Sequence, residues 1–320
     1  MGTTQQPEVA RWFTLPDEGE APEPPASELR RLAVVGGGQM GAGIAEVAAR
    51  AGLEVTLIET GEEAAANART RVASSLERAA ARGKLEQAEH TATLERLAFT
   101  TDWAALDGAD AAIEAVIENV EEKRRVFALM DRHLPDAAFL ASNTSSVPIM
   151  NLASATSRPE RVLGLHFFNP VPVMNLVEVV PSLTTDPRVV RLAARLVSEV
   201  LGKAVIRAPD RAGFVVNALL IPYLLGAIRM LEMGPASREE IDQAMVNGCH
   251  HPMGPLRLAD LIGLDTVLAV SHSLYEEFHD AFCSAPPLLK RMVEAGKFGR
   301  KAGIGFYTYD DAATTLTPAG

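Results

Sequence analysis

The sequence predicts an α/β N-terminal domain followed by an all-helical C-terminal one, on three observations. Leu32-Ala-Val-Val35 is an apolar run that leads into glycines in the pattern Gly36-x-Gly38-x-x-Gly41, and an Ala-rich amphipathic stretch, Ala42 to Arg50, ends at Gly52. Val55-Thr-Leu-Ile58 is a second β-branched run, and it ends in Glu59, 18 residues after Gly41. Beyond Pro209-Asp210 the apolar periodicity becomes helical throughout. The first two observations place strand, glycine turn, helix, strand and terminal carboxylate in the order of a Rossmann-type dinucleotide-binding unit.

Each part has a physical task. Gly36 permits the tight turn, Gly38 lets the backbone approach a pyrophosphate, and Gly41 lets helix and strand pack closely. Gln39 and Met40 lie within the same fingerprint, and the N-terminus of the helix that follows supplies N–H groups and a positive dipole end that suit phosphates. An acid at Glu59 can accept hydrogen bonds from both adenine-ribose hydroxyls and would repel a 2′-phosphate. The expected cofactor is therefore NAD. The alternative is a Gly-rich turn in some other α/β protein, with a surface glutamate there by chance.

At 320 residues the chain is long enough for two domains, and an apolar content of 48% suffices for real cores. A net charge of −11 argues against nucleic acid or an anionic membrane surface as the main partner. No apolar run is read as approaching the roughly 18 residues that a bilayer span needs. The N-terminus lacks the basic-then-apolar pattern of a secretory signal, and Cys249 and Cys283 are far apart, so a reduced, cytoplasmic setting is expected. No metal site is expected.

Residues 1–28 carry Pro16, Pro22, Pro24 and Pro25 among glutamates and are expected to form a disordered acidic tail. The dinucleotide domain is assigned to 29–209, the helical domain to 210–310 and a short tail to 311–320. Within the first domain, residues 61–97 read as helical throughout. Arg71, Ser75, Arg78 and Arg82 are spaced i, i+4, i+7, i+11 there, which puts them on one helical face. Such a stripe could attract a polyanionic ligand, or it is merely a solvated face. Strands follow at Ala111–Ile117 and Ala138–Ala141, the latter ending in Ser142-Asn-Thr-Ser-Ser146, and polar residues at such an end face the ligand crevice of a doubly wound sheet. Two more short strands flank a Pro-rich turn and can set His166 beside Glu178, where a carboxylate fixes the imidazole tautomer and makes the other nitrogen more basic. A buried structural histidine is the alternative. A helix near Asp186–Leu201 and a strand at Ala204–Ile206 close this domain. In the second, Phe214–Met233 reads as a long helix, Ser237-x-x-Glu240 as a capping box and Pro252–Pro255 as a turn, with further helices from Asp265 and after Pro286-Pro287. The wide apolar faces of these helices suggest a subunit interface.

Seven motifs carry a resemblance. They are Gly36-Gly-Gly-Gln-Met-Gly-Ala-Gly43, Glu114-Ala-Val-Ile-Glu-Asn119, Ser142–Ser146, Leu165-His-Phe-Phe-Asn-Pro170, Gly213-Phe-Val-Val-Asn217, Pro252-Met-Gly-Pro255 and Lys297–Tyr307. Over roughly residues 31 to 309 the chain resembles the short-chain 3-hydroxyacyl-CoA dehydrogenases, including the bacterial 3-hydroxybutyryl-CoA enzymes. The resemblance implies NAD-dependent, reversible oxidation of an (S)-3-hydroxyacyl-CoA in fatty acid metabolism such as β-oxidation. It also implies an active site in the cleft between the domains and a homodimer formed through the helical one. His166 would be the base, oriented by Glu178, with Ser145 and Asn217 at the substrate oxygen and Ser145 also beside the cofactor. Glu118, Lys123, Asn169 and Lys301 would be cofactor contacts. Ser75 falls at a CoA contact and Arg82 near a CoA-binding lysine, so Arg71, Ser75 and Arg82 are expected to serve the acyl-CoA. Two other readings stand beside this one: a same-fold dehydrogenase of a free hydroxy acid, such as the crystallin-like gulonate dehydrogenases, and a dinucleotide-binding protein without turnover.

The chain departs from the family at four places. Glu59 stands where Asp is usual, and Ala212 replaces the proline before Gly213-Phe214, so that the path into the following helix is expected to be looser. Ala218 stands where many members have Arg, and His251 replaces the tyrosine before Pro-Met-Gly-Pro.

Overall fold

The computed structural model describes residues 29–309. The tails expected over 1–28 and 311–320 lie outside the described residues. The chain divides into two units between Asp210 and Arg211.

In the first unit, β1 (Arg31–Val35), α1 (Gln39–Arg50) and β2 (Glu54–Ile58) form the opening strand–helix–strand unit. Two helices follow, α2 (Glu62–Ala81) and α3 (Gln87–Glu95), then β3 (Leu97–Thr100). Continuous helix over 61–97 was expected, and the structure corrects this: the chain turns at Gly83, and Leu97–Thr100 pairs in parallel with β2 at the sheet edge. A four-residue strand is too short to show a period of its own, so only pairing with β2 reveals it. After β3 come β4 (Ala111–Glu114), α4 (Val120–His133), β5 (Phe139–Ser142), α5 (Ile149–Ala153), β6 (Val162–Phe167), β7 (Leu176–Pro181), α6 (Pro187–Arg195, extended by a π-helical turn to Val200) and β8 (Ala204–Arg207).

The eight strands form one sheet in the order β3-β2-β1-β4-β5-β6-β7-β8, parallel except for the antiparallel β6–β7 pair. The chain runs outward from β1 to β2 and β3 and then crosses back to β4 on the other side of β1, which makes the gap between β1 and β4 the switch point where such sheets bind ligands. The register sets Ile58, Val35, Glu114 and Ser142 in one row across the carboxyl ends of β2, β1, β4 and β5. The inner strands are buried on both faces, as covered parallel strands must be: Ala33, Val34, Ile113 and Ala141 are all fully buried.

The second unit is helical, with α7 (Val216–Met233), α8 (Arg238–Cys249), α9 (Pro255–Ile262), α10 (Leu264–Phe278) and α11 (Pro287–Glu294) around a core that includes Leu224, Ile228, Leu256, Leu264, Val267 and Leu289. Both halves of the Ser237/Glu240 capping box are formed. Pro255 does more than end a turn: it takes the first position of α9, where its fixed φ suits a helix and its missing N–H costs nothing. Asp260 accepts from the backbone N–H groups of Phe306 and Tyr307, each at 2.9 Å, and from the Tyr309 hydroxyl at 3.0 Å. A Cβ at Gly305 would come within 2.0 Å of Asp260 Oδ1, so only glycine lets the closing segment dock there.

The expectation that no apolar run reaches membrane-spanning length is also corrected. By length and composition α7 is long and apolar enough, although its window is only 28% buried. Its two charged residues bond within the unit: Arg229 donates to the carbonyls of Ala281, Phe282 and Ser284, and Glu232 accepts from Leu288 N–H.

Candidate active site

The glycine turn is built for close approach. A Cβ on Gly41 would lie 1.8 Å from the Gly36 carbonyl oxygen, and one on Gly36 would lie 2.8 Å from the Ala115 oxygen, so neither position admits a side chain. Gly36 also has φ +97°, a conformation glycine adopts without strain. At Gly38, by contrast, a Cβ would meet nothing within 4 Å, and the residue is exposed. That open space adjoins the N-terminus of α1, which has no side-chain cap and no acid in its first turn. Its N–H groups are left for an anion, which fits a dinucleotide pyrophosphate. Next to the turn, Glu59 Oε1 accepts from Gly37 N–H at 2.6 Å and Oε2 accepts from Thr60 N–H at 3.1 Å. Gln39, at the start of α1, donates to Asn169 Oδ1 at 3.0 Å, so two of the expected cofactor contacts meet across the sheet end.

The β6–β7 register pairs His166 directly with Glu178. Nδ1 of the imidazole lies 2.6 Å from Glu178 Oε2, and the carboxylate is fully buried. Phe168 packs edge-on to the imidazole with ring centroids 4.6 Å apart. Carboxylate on one nitrogen and ring packing on the side hold the imidazole in one orientation. The turn between the two strands is tied down by a residue that the sequence reading passed over. Lys203, buried ahead of β8, donates to the carbonyls of Val171 at 2.8 Å and Met174 at 2.7 Å. Desolvation, assisted by the Arg50 charge, holds its ammonium below the usual lysine range. A lysine next to a strand gives no signal of its own in the sequence, because its partners are carbonyls about thirty residues away.

Ser145 sits on the loop after β5, and Glu118 organises that loop. Its Oε1 accepts from Thr144 Oγ1 at 2.5 Å and from the N–H groups of Ser145 and Ser146 at 2.9 and 3.1 Å, with the Ser145 hydroxyl at 3.3 Å. Desolvation pushes the Glu118 carboxyl up, but the Lys123 ammonium and these hydrogen bonds outweigh it and hold it below the usual carboxylate range. Lys123 itself is 1% exposed, with Nζ 2.7 Å from Glu114 Oε1 and 3.2 Å from Glu118 Oε2. Lys123, one of the expected cofactor contacts, thus joins two carboxylates next to the Ser145 loop. Glu114 was passed over within its motif. It is fully buried, and its other oxygen accepts from Ser142 Oγ at 2.6 Å. Ser142 Oγ in turn accepts from Thr144 N–H, and Asn143 Oδ1 accepts from Phe167 N–H beside His166.

On α2, the expected CoA-facing stripe divides. Arg78 and Arg82 are exposed, and Ser75 is half-buried beside Glu46 of α1. Burial pushes the Glu46 carboxyl up against the opposing pull of Ser75, Arg50 and Arg78, and its Oε1 is buried without a hydrogen-bond partner. Arg71 turns the other way and donates to the Gly37 carbonyl at 3.3 Å.

Asn217 and Lys301 belong to the second unit. Asn217 lies in the first turn of α7, and Lys301 Nζ pairs with Asp265 Oδ2 at 2.6 Å. The path into α7 is held where looseness was expected: Ala212 keeps the N–H that a proline would lack and donates it to Glu277 Oε2 at 2.7 Å. His251 lies 3.1 Å from the Tyr223 hydroxyl.

Comparison with known proteins shows the family. Residues 31–211 match the family described as 3-hydroxyacyl-CoA dehydrogenase, NAD binding domain, and residues 213–309 match the 3-hydroxyacyl-CoA dehydrogenase, C-terminal domain. A 3-hydroxybutyryl-CoA dehydrogenase of Mycobacterium tuberculosis is 54% identical over 282 residues, covering 88% of this chain and 99% of that one. The human mitochondrial hydroxyacyl-coenzyme A dehydrogenase is 40% identical over 88% of this chain and 91% of its own. Among solved structures, (S)-3-hydroxybutyryl-CoA dehydrogenase PaaH1 from Ralstonia eutropha superposes with a TM-score of 0.84 at 42% identity, covering 88% of this chain and all of that one. The chain belongs to the 3-hydroxyacyl-CoA dehydrogenase family, with that family's NAD-binding domain in its first unit and its C-terminal domain in its second.

Proposed function

We propose that this NAD-dependent dehydrogenase acts on a short-chain (S)-3-hydroxyacyl-CoA such as 3-hydroxybutyryl-CoA, with His166 as general base and Glu178 as its orienting partner. The observation that carries the assignment is the 2.6 Å contact between a fully buried carboxylate and an imidazole at the carboxyl end of the sheet. A protein that only bound a dinucleotide would have no need of that pair.

When bound, NAD supplies the acceptor for the hydride that leaves substrate C3. In that direction His166 Nε2 takes the proton of the 3-hydroxyl as the carbonyl forms. Its imidazole becomes cationic, and Glu178 stabilises the charge through Nδ1–H. In reduction the imidazolium returns the proton to the oxygen. Ser145, positioned by Glu118 and Thr144, and Asn217 would orient the substrate oxygen. Gly36, Gly38, Gly41, Gln39, Met40, Glu59 and Asn169 would line the dinucleotide, with Lys301 also contacting it. Ser75 and Arg82 would hold CoA. Glu118 and Lys123 would contact the dinucleotide as well, and their ion pair also fixes the loop that carries Ser145.

Exposed Leu219 and Met233 on α7 and Phe282 nearby in sequence to α11 support self-association through the helical unit, which light scattering in solution would test. A cytoplasmic role in fatty acid β-oxidation completes the proposal. The functional test is NADH oxidation with 3-oxoacyl-CoA thioesters of increasing chain length, run beside the free 3-oxo acids. Turnover should need CoA and be fastest with short chains. Equal rates on free acids would transfer the assignment to a gulonate-like dehydrogenase, and no turnover on any compound would leave a binding protein.

A further inference from the structure

Among the described residues Arg71 of α2 forms no ion pair, and its guanidinium reaches the glycine turn after β1. Gly37 is held from both ends. Its N–H donates to Glu59 Oε1 at 2.6 Å, and its carbonyl accepts from Arg71 Nη1 at 3.3 Å. A Cβ at Gly37 would lie 2.4 Å from the Ala68 methyl group and 3.2 Å from Glu59 Oε1, so α2 presses directly on this turn. Arg71 is one helical turn beyond Ala68 on the same helix, which brings its exposed guanidinium to the turn rather than outward with Arg78 and Arg82.

An acid at the end of the second strand favours the ribose 2′-hydroxyl, and an arginine nearby is how such sites accommodate a 2′-phosphate. This chain carries both around one glycine. We propose that Arg71 is a determinant of dinucleotide choice and not a CoA contact: Glu59 excludes the 2′-phosphate by charge, while the Arg71 guanidinium beside Gly37 is the cation that would receive it. NAD preference then rests on the Glu59 charge prevailing over Arg71 and not on the lack of a phosphate partner. An arginine fork suits phosphate oxygens, and an unpaired one gives up no ion pair to turn toward them. The proposal rests on the dinucleotide site at Glu59, and the test separates the two.

The experiment measures dissociation constants of NADH and NADPH by calorimetry and by ligand fluorescence, for wild type, Glu59→Ser, Arg71→Ala and the double variant. Acetoacetyl-CoA kinetics accompany each. Glu59→Ser should weaken NADH and tighten NADPH by about tenfold or more, as expected for a charged hydrogen bond gained in place of a repulsion. Adding Arg71→Ala should cancel most of the NADPH gain, and Arg71→Lys should keep part of it, because lysine retains the charge without the fork. The NADPH gain should also shrink with added salt. Arg71→Ala alone should leave the KM for acetoacetyl-CoA unchanged. Equal NADPH affinity in Glu59→Ser and the double variant would overturn the proposal. So would a raised acetoacetyl-CoA KM in Arg71→Ala with dinucleotide affinities unchanged, which would return Arg71 to the CoA stripe. If Glu59→Ser changed neither dinucleotide's affinity, the assignment of Glu59 itself would fail.

Discussion

Replacing Glu178 with Gln keeps the side chain's shape and removes only its charge, which makes it the sharpest test of the His166 pair. In the native chain the carboxylate is fully buried and 2.6 Å from Nδ1, so no water screens it. As the hydroxyl proton reaches Nε2 the imidazole becomes cationic, and the Nδ1–H···Oε2 bond becomes charge-assisted on both sides. Hydrogen bonds to charged groups contribute about 1.5–3 kcal/mol, and about 1.4 kcal/mol is tenfold in rate, so kcat should fall by roughly 10- to 150-fold. The short, dry contact favours the upper end. KM values should move little, because the bond strengthens only as the proton moves. The assay is oxidation of 3-hydroxybutyryl-CoA by NAD at a fixed pH, the direction in which the imidazole gains its charge, alongside thermal unfolding and binding of NADH. Because Gln fills the same volume, Tm and NADH affinity should stay near wild type. Wild-type kcat would show that the carboxylate only fills space. A loss of NADH binding equal to the loss of kcat would show that the substitution disturbed the sheet end as a whole.

Two further outcomes are expected. Arg78→Glu combined with Arg82→Glu should raise the KM for acetoacetyl-CoA severalfold and leave the KM for NADH unchanged. Added salt should reduce the difference, since exposed charges are screened within about 10 Å at 0.1 M, and a pantetheine-truncated substrate without phosphates should not distinguish the variants. Glu46→Met should raise Tm at pH 7–8, because the native carboxyl is raised by burial and one of its oxygens has no partner. An unsatisfied buried group costs about 1–3 kcal/mol. A raised carboxyl means the native state binds more protons than the unfolded one, so wild-type stability is greatest below the unfolded value near 4.5 and declines as pH rises through the folded one. The advantage of Glu46→Met should therefore shrink as pH falls toward 4.5, and a pH-independent difference between the two melting curves would contradict this.

Much of the site was legible because its determinants are local or periodic. Gly36 and Gly41 announce a turn whose steric demands hold wherever the strand lies, and Glu59 is placed by the length of the helix between two strands. His166 and Glu178 could be paired in advance because two short strands around a tight turn admit few registers. The capping box of Ser237 and Glu240 needs only a spacing of three. What the sequence could not decide depends on partners distant in the chain. Leu97–Thr100 is a strand because β2 has a free edge, not because of its own pattern. Nothing local in the sequence reveals that Lys123 is buried between Glu114 and Glu118, and Lys203 gains its purpose from the carbonyls of Val171 and Met174. Arg71 has the spacing of the expected CoA stripe, yet the close packing of α2 on Gly37 puts its guanidinium within hydrogen-bond reach of the glycine turn. Helical spacing determines which residues share a face, but only packing against α1 and the glycine turn decides what that face meets.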